Sequence, residues 1–330
     1  MALILLVASF AVILAGAILF TNAVEFIGHR LEIGEGAVGS LLAAVGTAMP
    51  ETLIAIVALV GATKSEDVAI GAIVGAPFLL ATLAMGLVGL FAFLYRRRRR
   101  QGTELRAHVP TLDRDLLFFL AFFGLGLALG FGAPEAVRIP AGAAFLVAYV
   151  IYVRQTLRRG GEIQAEETLN PLIMGRRKHG REQQGLLTAV IQFLIGLAAM
   201  VGGAHLFVEE LLHVAEDIGI EAIALSLILA PLATELPEKV NSFFWVREGK
   251  DSLALGNITG AMVFQSTIPV GIGLAFTDWD LGGNAAISMV FGLAGGVLAY
   301  WALRLRGRFE LPAVVAWMAL YAAFIVVVAV

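Results

Sequence analysis

Two short stretches carry residues able to do chemistry in a chain otherwise built largely of apolar side chains. The first reads Gly46-Thr47-Ala48-Met49-Pro50-Glu51 and the second Ala233-Thr234-Glu235-Leu236-Pro237-Glu238. Thr47 matches Thr234, Pro50 matches Pro237 and Glu51 matches Glu238, all at a shift of 187 (238 − 51). Proline removes a helical N–H and clashes one turn back, which frees carbonyl oxygens. A carboxylate in hydrocarbon costs at least about 2.5 kcal/mol unless it faces protein or water. Freed carbonyls, a threonine hydroxyl and a carboxylate together make a ligand set for a hard cation. Calcium takes about 6–8 oxygens. One helix cannot supply that many, whereas two inverted copies meeting at mid-membrane can.

A second match follows the first in the same order. Ala69-Ile70-Gly71-Ala72-Ile73-Val74-Gly75-Ala76 parallels Ala254-Leu255-Gly256-Asn257-Ile258-Thr259-Gly260-Ala261 at a shift of 185 (254 − 69). Glu235 stands out beside these repeats. It lies three residues before Glu238, on the same helical face, and two close carboxylates share a cation or a proton. It also precedes Lys239 by four residues in the favourable order for an ion pair. Third ligand or proton carrier, and neutralised partner of Lys239, are both open readings.

The elements that must position these residues follow from composition. The 330-residue chain is 59% hydrophobic, with 37 Gly and no Cys, and only 15% charged, where about 25% is usual; its mean hydropathy is +0.87. That is too little polar surface for a water-soluble fold. The absence of cysteine excludes disulfides and thiolate chemistry, and a net charge of −3 gives no basic field for nucleic acid. The uncharged run 2–23 lacks the basic start of a cleaved leader and reads as a retained span.

A window of about 20 apolar residues finds ten spans, at 2–27, 36–61, 67–94, 113–132, 137–154, 186–212, 219–246, 252–276, 284–304 and 311–330. These runs are too long and uniformly apolar for barrel strands. The expected fold is an all-α polytopic membrane protein. Five spans fall in 1–155 and five in 186–330, joined by a polar linker over 156–185; an odd number per half inverts the second half relative to the first. Lys and Arg concentrate in the odd-numbered loops, above all Arg96–Arg100, which places those loops in the cytoplasm and both termini outside. That arginine run is expected to act as a topological anchor. The location is an integral membrane, taken as a prokaryotic plasma membrane, and the partners are lipid and cations.

The two acidic motifs, each followed by Gly-x-x-x-Gly-Ala, resemble the paired repeats of the sodium/calcium exchanger (cation/Ca2+ antiporter) superfamily. The resemblance spans all ten segments in layout and is specific over 36–82 and 219–270. It implies ten transmembrane helices as two inverted five-helix repeats, with Glu51 and Glu238 ligating Ca2+ and competing Na+ or H+. Thr47 and Thr234 would serve as hydroxyl or carbonyl ligands beside them. Alternating access would come from spans 1 and 6 moving against the other eight.

The chain departs from the family pattern at several positions. The serine after threonine is Ala48 in one repeat and Glu235 in the other, and Ala76-Pro77 and Ala261-Met262 replace polar pairs. Of the flanking polar side chains in spans 3 and 8, Asn257 and Gln265 remain. The reading is therefore secondary antiport of Ca2+ against Na+ or H+, with no cofactor. The alternatives are a proton-coupled antiporter of another divalent cation, or a non-exchanging channel or sensor on the same scaffold. No His-Glu-x-x-His, Ser/His pair or phosphate-binding loop supports an enzyme or an ATP-driven pump.

Lesser expectations concern other polar or small residues. His205 and His213 are taken as packing histidines. Asn22, Glu25, Glu209 and Glu210 are taken as exposed at span ends. Gly126-x-x-x-Gly130 and Gly292-x-x-x-Gly296 are expected to permit close helix contact within the monomer, and Pro77 and Pro269 to kink spans 3 and 8.

Overall fold

The computed structural model describes residues 1–30, 49–106, 108–158, 172–174 and 185–329. Helices account for nearly all of it, since hydrocarbon leaves no other way to satisfy the backbone of a single apolar run. In chain order they are α1 (Ala2–Arg30), α2 (Met49–Val60), α3 (Glu66–Leu79), α4 (Met85–Leu94), α5 (Val109–Leu129), α6 (Glu135–Arg158) and α7 (Leu186–Ile218). There follow α8 (Ala222–Arg247), α9 (Asp251–Gln265), α10 (Ile268–Phe276), α11 (Gly283–Arg306) and α12 (Leu311–Ala329). A two-residue antiparallel pair, β1 (Leu105–Arg106) with β2 (Arg308–Phe309), closes one end.

Seven stretches among the described residues are long and apolar enough to cross a bilayer: α1, α3 with α4, α6, α7, α9 with α10, α11 and α12. In two of the other three expected spans polar chemistry interrupts the apolar run. The run at 113–132 begins with Asp113-Arg114-Asp115, and that at 219–246 contains Glu235, Glu238 and Lys239. The run at 36–61 is described only from Met49.

Two expected spans are not single regular helices. Span 3 passes from α3 to α4 through a π turn, Leu80–Ala84, and span 8 breaks between α9 and α10 at Ser266-Thr267. The irregularities stand at the same shift as the sequence repeat: Thr82 and Thr267 are 185 apart (267 − 82). Each threonine hydroxyl donates 2.7 Å back to the carbonyl four residues earlier, Phe78 O and Val263 O. Such back-bonding bends helices. The proline kinks expected at Pro77 and Pro269 thus take the form of a π turn three residues past Pro77 and a break just before Pro269.

α3 is buried on every side from Val68 to Leu79, as a helix at the centre of a bundle must be. Close approach to α8 requires glycine there, since a Cβ on Gly75 would sit 2.6 Å from the Leu227 carbonyl. α1 and α7 lie side by side at the periphery; a Cβ on Gly16 would sit 2.8 Å from the Gly196 carbonyl. Their outer faces present Leu3, Ile4, Leu187 and Leu194. Gly126, Gly130, Gly292 and Gly296 abut Val270, Leu281, Phe123 and Phe119 respectively, so their close contacts fall within the monomer, as expected.

Loops sort to two ends. At one, Arg99 reaches Asp251, β1 meets β2, and Arg304 pairs with Asp113 at 2.6 Å. At the other, Trp279 Nε1 donates to Gly126 O at 2.9 Å, Leu281 N donates to Gly130 O at 3.2 Å, and Asn284 Nδ2 donates to Glu221 at 3.1 Å. The first end gathers loops 3, 7 and 9; the second gathers loops 4, 6 and 8.

One residue of the arginine run has a structural partner. Arg99 is buried, donating to both carboxylate oxygens of Asp251 at 2.7 and 2.9 Å and to the carbonyls of Val246, Gly102 and Glu104. Asp251 also accepts from Arg106 N.

Candidate functional site

Glu51 enters the core from the first turn of the described part of α2 and is 2% exposed. Glu235 comes from the middle of α8 and is 1% exposed. Gln265, fully buried, is the last residue of α9, where the helix breaks. Its amide nitrogen donates to Glu51 Oε1 and, at 3.1 Å, to Glu235 Oε1. One amide therefore joins a carboxylate from each acidic repeat, 214 and 30 residues away in the chain.

One turn past Glu235, Lys239 Nζ sits 3.0 Å from Glu235 Oε2, and both side chains are 1% exposed. Removing an ion from water costs several kcal/mol even after relaxation, and the pair and the bridging amide offset part of that cost for these charges. The Gln265 Oε1 is buried without a hydrogen-bond donor among the described residues. Pro269, four residues on, has no N–H to offer the Gln265 carbonyl. The break thus leaves acceptor oxygens beside two carboxylates, which is cation-binding chemistry.

The other expected ligands fall differently. Thr234 is buried on the turn preceding Glu235, and its hydroxyl donates to Ala230 O at 3.0 Å. Asn257 lies about 12 Å along α9 from Gln265 at the helical rise per residue and donates to Ser242 Oγ at 3.0 Å. Thr47 and the side chain of Glu238 lie outside the described residues. Among the described residues no three His, Asp or Glu side chains converge; the cluster is two carboxylates, an amide and an ammonium.

Sequence reasoning missed two buried polar centres. Asp115 accepts from Tyr152 OH at 2.8 Å, Thr259 Oγ1 at 2.9 Å and Arg114 Nη2 at 2.9 Å, tying α5 to α6 and α9. With both oxygens engaged, it reads as a clamp. A charged triplet at the start of an expected span was the available sign.

Asn22, expected to be exposed, is buried. Its Oδ1 accepts from Gln192 Nε2 at 2.8 Å and Ile173 N at 3.1 Å, fastening α1 to α7 and to 172–174. Glu210 is also buried, whereas Glu209 is exposed as expected; the side chain of Glu25 lies outside the described residues. His205 and His213, expected to pack inside, are exposed on α7.

Known proteins bear directly on this arrangement. The profile of the sodium/calcium exchanger protein family matches residues 1–157 and 188–330. The chain belongs to that family. It is accordingly an integral-membrane transporter, not an enzyme. Among its relatives are the inner membrane protein YrbG of Escherichia coli, 24% identical over 249 residues (74% of this chain, 70% of that one), and the sodium/calcium exchanger MaX1 of Methanosarcina acetivorans, 22% identical over 285 residues (78% of each). The fold matches the crystal structure of an H+/Ca2+ exchanger, CAX, with a TM-score of 0.70 at 18% identity, covering 98% of this chain and 86% of that one. It also matches the sodium-calcium exchanger NCX_Mj, with a TM-score of 0.61 at 19% identity, covering 98% and 97%. The exchanger-family chain thus brings its two acidic repeats together in the fold that these proteins share.

Proposed function

We propose that the chain is a secondary active antiporter that exchanges a divalent cation, Ca2+ foremost, for Na+ or H+ by alternating access. The observation that carries this reading is the meeting of Glu51 and Glu235, one from each acidic repeat, on the single amide of Gln265. Glu238 completes the carboxylate set, with Thr47 and Thr234 as flanking oxygen ligands; Asn257, about two turns away along α9, stands outside it. When cargo binds, the Gln265 amide turns its oxygen inward, since an amide can offer either a donor or an acceptor end.

The exchange follows from electrostatics. An unpaired ionised group in a dry interior costs on the order of tens of kcal/mol by a Born estimate. The site therefore crosses the membrane loaded, with one divalent ion or with monovalent ions, and the two loads exclude one another. The irregular turns at Thr82 and Thr267 support a scaffold of ten spans in two inverted five-helix repeats, 1–155 and 186–330, around this centre. The Arg-rich end faces the cytoplasm of a prokaryotic cell and both termini face out. MaX1 and NCX_Mj carry sodium and calcium in their names, and CAX carries H+ and Ca2+; either counter-ion suits a carboxylate site.

The test is radiolabelled Ca2+ uptake into proteoliposomes under imposed Na+ or pH gradients. Gradient-driven flux is expected, with Glu51→Gln reducing it at least ~100-fold, the scale of losing about 3 kcal/mol of charged ligation. Calcium binding without coupled flux would establish a channel or sensor instead. Equal flux in Glu51→Gln and wild type would remove the assigned site.

A further inference from the structure

We propose that Lys239 is a built-in counter-charge that fixes the exchange ratio at two monovalent charges per divalent cation, so that transport moves no net charge. The inference rests on the antiport reading and concerns the stoichiometry of that same site. Lys239 is buried, on the turn after Glu235, with its ammonium 3.0 Å from that carboxylate. Both residues belong to the second acidic repeat. At the equivalent positions of the first repeat, 187 residues earlier, the chain has Ala48 and Thr52. The pair is therefore an addition to one half of a duplicated motif, not a requirement of the helix that both halves share.

Its consequence is arithmetic. Glu51 and Glu235, with Glu238 as the proposed third carboxylate, supply three negative charges and Lys239 one positive, leaving −2 at the motif. One divalent ion brings that to zero, and so do two monovalent ions. Residual charge in a low-dielectric site is heavily penalised, so both loaded forms that match −2 are the ones that cross. Without the ammonium the motif carries −3. A divalent ion then leaves −1 to cross with it, three monovalent ions leave none, and each cycle moves one net charge.

The experiment measures Ca2+ flux and the final Ca2+ ratio in proteoliposomes whose membrane potential is clamped with K+ and valinomycin. Wild type is expected to give the same ratio at zero and at about 100 mV. Lys239→Met is expected to shift it about 50-fold, the effect of roughly 2.3 kcal/mol on one net charge. Lys239→Arg keeps the charge and stays insensitive to potential. The double variant Glu235→Gln with Lys239→Met returns the motif to −2 and, though slower for want of one carboxylate ligand, is expected to reach a Ca2+ ratio insensitive to potential again; because it removes both members of the buried pair, it avoids stranding a charge. Voltage-sensitive exchange by wild type overturns the inference, as does a Lys239→Met protein that loses thermal stability yet keeps voltage-independent flux. Absence of any gradient-driven flux in wild type instead sinks the antiport reading itself.

Discussion

Gln265 is the residue on which the site turns, because its amide contacts a carboxylate from each acidic repeat. Replacing it with leucine removes the amide oxygen that turns onto the cargo, and a polar contact to a charged group is worth about 1.5–3 kcal/mol. Gln265→Leu is expected to weaken Ca2+ binding about 10- to 100-fold in isothermal titration; affinity within twofold of wild type would show that the amide only packs. The sequence marks this glutamine merely as a polar survivor in an apolar span. Its partners are 214 and 30 residues away, so nothing local reveals the bridge. For Glu235 the sequence leaves two readings open, a shared cargo site or a pair with Lys239. The structure shows the pair with Lys239 on one oxygen and places the other on Gln265; a role toward cargo belongs to the proposed site.

At the scale of elements, small residues and irregular turns decide where the site can form. α3 touches α8 through Gly71 and Gly75, where a Cβ would lie 2.7 Å from Ser226 Cβ and 2.6 Å from Leu227 O. Gly75→Val forces the two helices apart and is expected to cost about 1–3 kcal/mol, as overpacking does, read as a lowered thermal midpoint in detergent. The Arg99–Asp251 pair acts at a helix end: it holds the loop after α4 against the start of α9, the helix that delivers Gln265. Arg99→Ala strands a buried aspartate, at about 3–5 kcal/mol, and is expected to lower the midpoint further than Gly75→Val. Arg97→Ala, one of the neighbouring exposed arginines, leaves it unchanged. Five consecutive arginines look alike in a sequence; only packing selects the one that is buried.

At the scale of the whole molecule, the loops form two sets at opposite ends, joined by contacts between distant parts of the chain. Leu105 pairs with Phe309 and Arg106 with Arg308. Facing residues in an antiparallel pair are about 4.5–5.5 Å apart at Cα, within disulfide range. Since the chain has no cysteine, an Arg106→Cys/Arg308→Cys variant is expected to crosslink on mild oxidation, shown by a mobility shift reversed by reductant. No crosslink would contradict the joined loops. Single cysteines at Lys64 and Arg97 test orientation. An impermeant thiol reagent on intact cells is expected to label the first, and to reach the second only after permeabilisation.

Composition and charge by themselves determined that this chain is a helical membrane protein with a duplicated acidic motif, because solvent and lipid act on each segment separately. Hydropathy is a local property, and so is the placement of arginines in alternate loops. The repeat itself is a comparison of the chain with itself, needing no coordinates. What tertiary structure decided is which polar groups meet: Glu51 with Gln265, Asn22 with Gln192, Asp115 with Tyr152 and Thr259. Each meeting joins separate helices, and its stability depends on burial that no single segment provides.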